Sequence, residues 1–274
     1  LSWVLYEDDC FEVFPSIEDG SIDMILCDLP YGTTACKWDT PLPLDKLWTE
    51  YKRIIKDNGA IVLTGNEPFS SYLRMSNIDW YKYDWKWLKN FSGSFILAKK
   101  RPMKYHEDIM VFYQSQPTYN PKFREYGDGV KKRYKCSSEV NNHKAVERKD
   151  LNNIQSIKRV SPYINYERGA YPKSEIYFDA PPNCNGLRKH PSQKPVKLFE
   201  YLIRTYTNEH DLVLDNCAGS GTTGVACQNL NRDCILIEKE HDYCNIIRER
   251  MQTVQELQVE QRKQQTLLDY CTAK

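Results

Sequence analysis

The sequence predicts an α/β fold: a parallel sheet with helices packed on its faces, interrupted by one inserted lobe. Three observations carry this. Apolar strand-like runs alternate with segments of helical spacing across the front of the chain and again from about Ser192 onward. The run "DLVLDNCAGSGTTGVAC" sets a strand, a glycine turn and a helix in immediate succession. Between the two ordered stretches, from about Gln114 to Gly186, the periodicity dissolves into Pro, Asn, Lys, Ser and Tyr. Some seventy structureless residues are unusual inside a compact domain, so this stretch is expected to be a small lobe of its own.

In chain order, "SIDMILCD" predicts a buried strand, β-branched and apolar, between Gly20 and Pro30. "PLDKLWTEYKRIIKDNG" predicts a helix with Leu44, Leu47, Trp48, Tyr51, Ile54 and Ile55 on one side and a stop at Asn58-Gly59. "AIVLTG" reads as the next strand, "SSYLRMSN" as a helix, and "YKYDWKWLK" and "EDIMVFY" as two further strands. After the lobe, "SQKPVKLFEYLIRTYT" has a helical face of Leu198, Leu202, Ile203 and Tyr206. "DLVLD" is a short buried strand, "TTGVACQNL" a helix, "DCILIE" a strand and "HDYCNIIRERM" a helix. The Gln-rich tail is helix-prone, with apolar spacing too loose for a coiled coil. The organisation this predicts is a first half over 1–114, an insert over 115–186, a second half over 187–250 and a helical tail over 251–274.

Composition sets the class. The 274 residues carry a net charge of +1, and no apolar run approaches the roughly 18 residues of a membrane span. A soluble protein without a membrane partner is expected, and the opening "LSWVLYEDDC" lacks the pattern of a signal peptide. Ten cysteines are scattered without a C-x-x-C pair, and several lie in apolar stretches, which fits reduced thiols in a cytoplasm rather than a zinc site. Charge is distributed unevenly. Residues 119–192 hold fifteen basic and eight acidic side chains, which suits either a solvated surface or a lobe facing phosphates.

The glycines Gly219, Gly221 and Gly224 form G-x-G-x-x-G, and Glu238 follows at the end of the next strand. Such a turn lets backbone N–H groups approach a ligand, and the acid can accept two ribose hydroxyls. A nicotinamide dinucleotide is the obvious candidate. However, Asp215 precedes the glycines, where a carboxylate would meet a pyrophosphate unfavourably. A zwitterionic, sulfonium-bearing ligand, S-adenosylmethionine, suits that acid better: Asp215 to its ammonium or to the support of the loop, backbone of Gly219 to Thr223 to its carboxylate, and Glu238 to its ribose. The other constellation is "CDLPYGTT", an acid, a stiff turn and an aromatic ring at a strand end.

Together these stretches resemble the β class of amino-methylating DNA methyltransferases. "DLPY" resembles that family's D/N/S-P-P-Y/F/W motif. "HPSQKPVKLFEYLIRTYTNEHDLVLDNCAGSGTTGVAC" is similar to its H-P-[TS]-Q-K-P block leading into D-P-F-x-G-S-G-T-T. "YEDDC" is similar to its G-D-C/A opening. The catalytic motif comes first and the glycine motif last, which is the β order. Leu29 stands where the family has a proline, Asn216 and Cys217 where it has Pro-Phe, and Asp8 where it has glycine.

The resemblance implies a Rossmann-like, S-adenosylmethionine-dependent methyltransferase sheet, circularly permuted, with an inserted target-recognition lobe. It implies S-adenosyl-L-methionine as cofactor and DNA methylation of the restriction–modification kind. Asp28, Leu29, Pro30 and Tyr31 become the catalytic residues. The Asp28 carboxylate and the residue-29 carbonyl would grip both N–H groups of an exocyclic amine, localising its lone pair, while Tyr31 stacks on a base flipped from the duplex. Cofactor contacts fall to Asp9 and Cys10 near the adenine, Lys194 near the methionine end, and Asp215, Cys217, Ala218, Gly219, Ser220, Gly221, Thr222, Thr223 and Glu238 around the glycine turn. Asp at the first motif position points to adenine N6. Cytosine N4, and a DNA-binding protein of the same fold with weakened activity (hinted at by Leu29), stay open as alternatives. Double-stranded DNA is the partner implied, with a second copy of the chain as a further one. In the insert, Lys131, Lys132 and Arg133 are candidates for phosphates, and Tyr119, Phe123, Tyr126 and Tyr134 for the lobe's core.

Overall fold

The computed structural model describes residues 2–33, 39–92, 95–125, 169–181 and 193–272. Among the described residues eight strands form one sheet: β1 (Trp3–Tyr6), β2 (Ile22–Cys27), β3 (Ile55–Gly65), β4 (Tyr81–Leu88), β5 (His106–Phe112), β6 (Glu175–Tyr177), β7 (Leu212–Asp215) and β8 (Asp233–Ile237). Their spatial order is β1-β8-β7-β2-β3-β5-β4-β6. The helices are α1 (Cys10–Val13), α2 (Leu44–Ile54), α3 (Phe69–Ser76), α4 (Val196–Tyr206), α5 (Thr222–Asn229) and α6 (His241–Thr272). The last runs unbroken from the helix expected at "HDYCNIIRERM" through the Gln-rich tail. Among the described residues no helix is long and apolar enough to cross a membrane.

The sheet is mixed: the expected parallel strands form its larger part, with one antiparallel strand among them. Five strands run parallel from β1 to β3, but β5 lies antiparallel between β3 and β4. The reason is the connection. The β4–β5 link carries only one short 3-10 turn, Phe95–Leu97, among its described residues, and no long helix there carries the chain across the sheet. A parallel neighbour needs such a crossover. The joint between the two ends of the chain is β2 on β7, with Met24 opposite Val213 and Ile25 opposite Leu214.

Alternate residues of the central strands feed two cores. Met24 and Leu26 face Phe199, Val225 and Ile247 of α4, α5 and α6. Ile25 and Cys27 face Leu47, Trp48 and Phe69 of α2 and α3. Strands buried on both faces read as continuous apolar runs, which is why "MILC" shows no alternation. In α2 the side chains of Leu47, Trp48, Tyr51 and Ile54 are buried at helical spacing, each contributing about 1.5–3 kcal/mol. That helix ends at Ile54 rather than at Asn58-Gly59, which instead lies inside β3. Gly59 serves close approach there: a Cβ would lie 2.6 Å from Ile55 Cγ1 and 3.0 Å from the Asp23 carbonyl, beside the register shift between Ile22 and Met24. A glycine in a strand marks such an irregularity as well as a helix end does.

The chain divides into two compact units, residues 121–173 and the remainder. The smaller unit falls within the insert expected over 115–186. The amide of Asn120 donates to the Thr205 carbonyl at 2.7 Å, and that of Lys86 to the Ser174 carbonyl at 2.7 Å, so both flanks belong to the sheet unit. Tyr119 packs against Tyr206, with ring centroids 6.3 Å apart, rather than in the insert. Within the smaller unit Arg124 and Ala170 exchange two backbone bonds of 2.9 Å, and Phe123 meets Tyr171 at 5.0 Å. Tyr126, Tyr134, Lys131, Lys132 and Arg133 lie outside the described residues.

Candidate active site

Strands β2, β3, β7 and β8 all end at one edge of the sheet, where ligands of open α/β sheets bind. The turn after β2 begins with Asp28. Its backbone is fixed by another acid, Asp39, whose carboxylate accepts the amides of Tyr31 (2.7 Å), Gly32 (2.9 Å) and Thr33 (2.9 Å). Leu29 is 3% exposed and packs into the core beneath, so the residue that replaces a proline anchors the turn by burial.

The Asp28 carboxylate is crowded with donors. Oδ1 accepts the Tyr31 hydroxyl at 2.6 Å and the Thr64 hydroxyl from β3. Oδ2 accepts the Lys194 ammonium at 2.5 Å. Lys194, only 6% exposed, also lies 3.5 Å from Glu107 on β5, which in turn binds Lys89 at 2.8 Å. The four side chains form a line of alternating charge that ends on Asp28. Burial alone would lower the Lys194 pKa, but the Asp28 and Glu107 carboxylates outweigh it and hold the value above the usual lysine range. Burial would likewise raise Glu107, and the Lys194 and Lys89 ammoniums reverse that. Burial first, then the charges of Asp28 and Glu107, push the Tyr31 phenol well up, so it stays a proton donor. The Tyr31 ring stacks on Phe69, centroids 5.2 Å apart and planes 26° from parallel.

The turn after β7 is built differently. Asp215 sits at the strand end, accepting the Cys217 amide at 3.1 Å on Oδ1 and the Thr223 hydroxyl on Oδ2. Burial raises its pKa to about 6 against these stabilising bonds. Gly221 has φ +76°, and a Cβ there would come within 3.0 Å of Ile247. At Gly224 a Cβ would meet Leu236 at 2.7 Å and Met251 at 2.9 Å, so this glycine serves helix packing. Glu238, after β8, accepts the amides of Gly219 (2.7 Å) and Glu240 (2.9 Å), and burial raises its pKa. Arg250 of α6 donates to the Ser220 carbonyl.

One cavity joins the two turns. Asp28, Leu29, Pro30 and Tyr31 line it together with Asp9, Cys10, Lys194, Asp215, Cys217, Ala218, Gly219, Ser220, Thr222 and Glu238. Gly221 and Thr223 do not line it: the first is spent on turning the chain, and the second, fully buried, is spent on Asp215. Lys194, expected from sequence near the methionine end of the cofactor, lines this cavity with its ammonium on Asp28. Asp9 lines the cavity while one of its oxygens caps α1 through the Phe11 amide at 2.9 Å. Thr64, Glu107, Lys89 and Asp39 escaped the sequence reading. A hydroxyl within the apolar run "AIVLTG" and an acid heading "EDIMVFY" were the available signals. The buried thiols Cys10, raised to about 12, and Cys27, held well above the usual thiol range, are protonated at neutral pH through burial, which leaves neither as a nucleophile. Among the described residues no group of three or more His, Cys, Asp or Glu is placed to hold a metal.

Fold and cavity together define a Rossmann-like methyltransferase domain of permuted order. The sequence profile of the N6/N4 DNA methylase family matches residues 22–249, and the chain belongs to that family. The Type II methyltransferase M.HpaI of Haemophilus parainfluenzae is 28% identical over 254 residues, covering 89% of this chain and 72% of the relative. The Type II methyltransferase M2.MboI of Moraxella bovis is 23% identical over 284 residues, covering 90% and 86%. Two solved structures share the fold. The M1.HpyAVI–SAM complex has a TM-score of 0.57 at 22% identity, covering 91% of this chain and 99% of that one. The PvuII cytosine-N4-specific DNA methyltransferase has a TM-score of 0.61 at 16% identity, covering 93% and 91%.

Proposed function

We propose that the chain is a site-specific Type II DNA methyltransferase that methylates the exocyclic N6 of an adenine flipped out of double-stranded DNA. The observation that carries this is the shared cavity: the Asp28 turn and the glycine turn, from opposite ends of the chain, line the same space. Bound S-adenosyl-L-methionine supplies an electrophilic methyl on a sulfonium. The donor set fits it. Glu238 would take the ribose, Asp9 and Cys10 would flank the base and the turn from Asp215 to Thr222 would take the amino-acid end, all lining the cavity to which Phe199 and Ile237 add apolar walls.

The chain's own residues prepare the amine. An aromatic amine is a poor nucleophile because its lone pair is delocalised into the ring. Asp28 and the Leu29 carbonyl accept its two hydrogens, so the lone pair turns outward and charge developing on nitrogen meets two acceptors already in place. Asp28 is aimed by the hydroxyls of Tyr31 and Thr64 and by Lys194. Lys194 stays an ammonium and therefore positions the carboxylate instead of acting as a base. Glu107 and Lys89 steady that ammonium in turn.

The test is transfer of a labelled methyl group to duplex DNA followed by mass analysis of the nucleosides. N6-methyladenine is expected. N4-methylcytosine would place the chain with the cytosine enzymes, and no methylated base would refute the proposal.

A further inference from the structure

The link between β4 and β5 springs from the same sheet edge as Asp28, because β4 runs parallel to β2 and β3. Residues 89–106, "KNFSGSFILAKKRPMKYH", hold five Lys or Arg and no acid. Lys89 and Lys104 are used within the fold: the first on Glu107, the second on Asn66. Lys99, Lys100 and Arg101 are exposed, and among the described residues none has a carboxylate partner. Nor is the segment a loose tether. Its base is closed by the Lys89 amide on the Tyr105 carbonyl at 2.8 Å. The 3-10 turn at Phe95–Leu97 then folds the cations back, with the amides of Lys100 and Arg101 donating to the Leu97 carbonyl at 2.8 and 3.0 Å. Phe95, at the head of that turn, is 75% exposed, and Phe91 and Tyr105 are 39% and 44% exposed.

Three cations without a carboxylate partner among the described residues, and exposed aromatic rings on the same link, leaving the sheet edge that carries Asp28, complement a nucleic-acid strand. We propose that this segment is a DNA-gripping arm separate from the insert at 121–173. Lys99, Lys100 and Arg101 hold phosphates close to the target nucleotide, and Phe95 stacks on a base there. The proposal rests on DNA as the substrate and adds where the duplex is held. The line Lys89–Glu107–Lys194–Asp28 ties the base of the arm to the Asp28 carboxylate. Phosphate contacts carry no sequence information, so the arm contributes to affinity for any duplex, whichever sequence the enzyme selects.

The experiment measures binding of fluorescent duplexes by anisotropy across about 50–200 mM salt, for the full chain and a K99A/K100A/R101A variant. Each lost phosphate contact reduces the slope of log affinity against log salt by about 0.9, so a fall of two to three is expected, with at least about tenfold weaker binding at the lowest salt. The loss should be the same for duplexes with and without the methylated site. Phe95→Ala should weaken binding severalfold without changing the slope. S-adenosylmethionine affinity by calorimetry checks that each variant is folded, and the single reversal Lys100→Glu repeats the test with less disturbance. An unchanged slope and affinity in both the triple variant and Lys100→Glu would overturn the proposal and identify the cations as a solvated surface. Failure of the unaltered chain to methylate DNA would instead count against the function proposed above, because the binding slopes are read without turnover.

Discussion

The turn after β2 and the turn after β7 leave neighbouring parallel strands at the same edge, yet they are held by opposite means. The glycine turn is shaped mainly by backbone conformation and close packing, with Glu238 and Arg250 as its outside supports. Gly221 supplies a left-handed residue, Gly224 lets α5 close on β8 and α6, and Glu238 ties the Gly219 amide. The Asp28 turn is held mainly by side chains drawn from across the sequence: Asp39 on three amides, Leu29 sunk into the core, Thr64 and Lys194 on the carboxylate. On the proposed function the difference has a reason: backbone sterics can shape most of a pocket that always receives the same ligand, whereas a carboxylate that meets a transient amine needs charged and hydroxyl partners to fix its orientation.

Four measurements would break or sharpen this contrast. Asp28→Ala should lower methyl transfer by about a thousandfold or more while the dissociation constant for S-adenosylmethionine moves less than about threefold, because an acceptor aimed at developing charge is lost and the other turn is untouched. Retained turnover would sink the role of Asp28. Glu238→Ala should do the converse, weakening cofactor binding roughly ten- to a hundredfold, the scale of a hydrogen bond to a charged group. An unchanged constant in calorimetry would remove Glu238 from the site.

Glu107→Gln should cost about tenfold in kcat with little change in KM for the cofactor. It should also shift the alkaline limb of the pH–rate profile downward, because Lys194 loses one of the two carboxylates that hold its proton. A lower rate with an unmoved profile would reduce Glu107 to packing. The smallest effect concerns Asp215. Burial places its pKa at about 6, above the ordinary 3.8. Its contribution to stability is thus complete below about pH 4 and is lost as the pH rises through 6, on the order of 3 kcal/mol in total. Thermal melts of the native chain and Asp215→Asn at pH 5 and pH 7 should show the native protein losing a few degrees relative to the variant at the higher pH. Parallel curves would show that the carboxylate is not strained by burial.

The same contrast explains what the sequence disclosed. The glycine turn was legible because its requirements are local: a strand, glycines at fixed spacing, a helix and an acid at the next strand end. The parallel strands were legible as apolar runs. The supports of Asp28 were not, because Thr64, Glu107 and Asp39 acquire meaning only when the sheet sets β2 between β3 and β7 and folds β5 back beside β3. The reversal of β5 was illegible for a related reason. Its apolar run looks the same in either direction, and the direction is set by a link too short of helix to cross the sheet. Asn58-Gly59 misled because glycine answers to any close approach, and in β3 that approach is to Asp23 and Ile55.

The seam of β2 against β7 has a consequence for synthesis. Met24 must wait for Val213, and Asp28 for Glu238, before a cavity exists. While the chain is being made, the half that bears Asp28 has no cavity to share until the glycine turn has been synthesised, so the site arises all at once, when β7 and β8 join the sheet. Closing so distant a pair is also slow compared with forming its local neighbours.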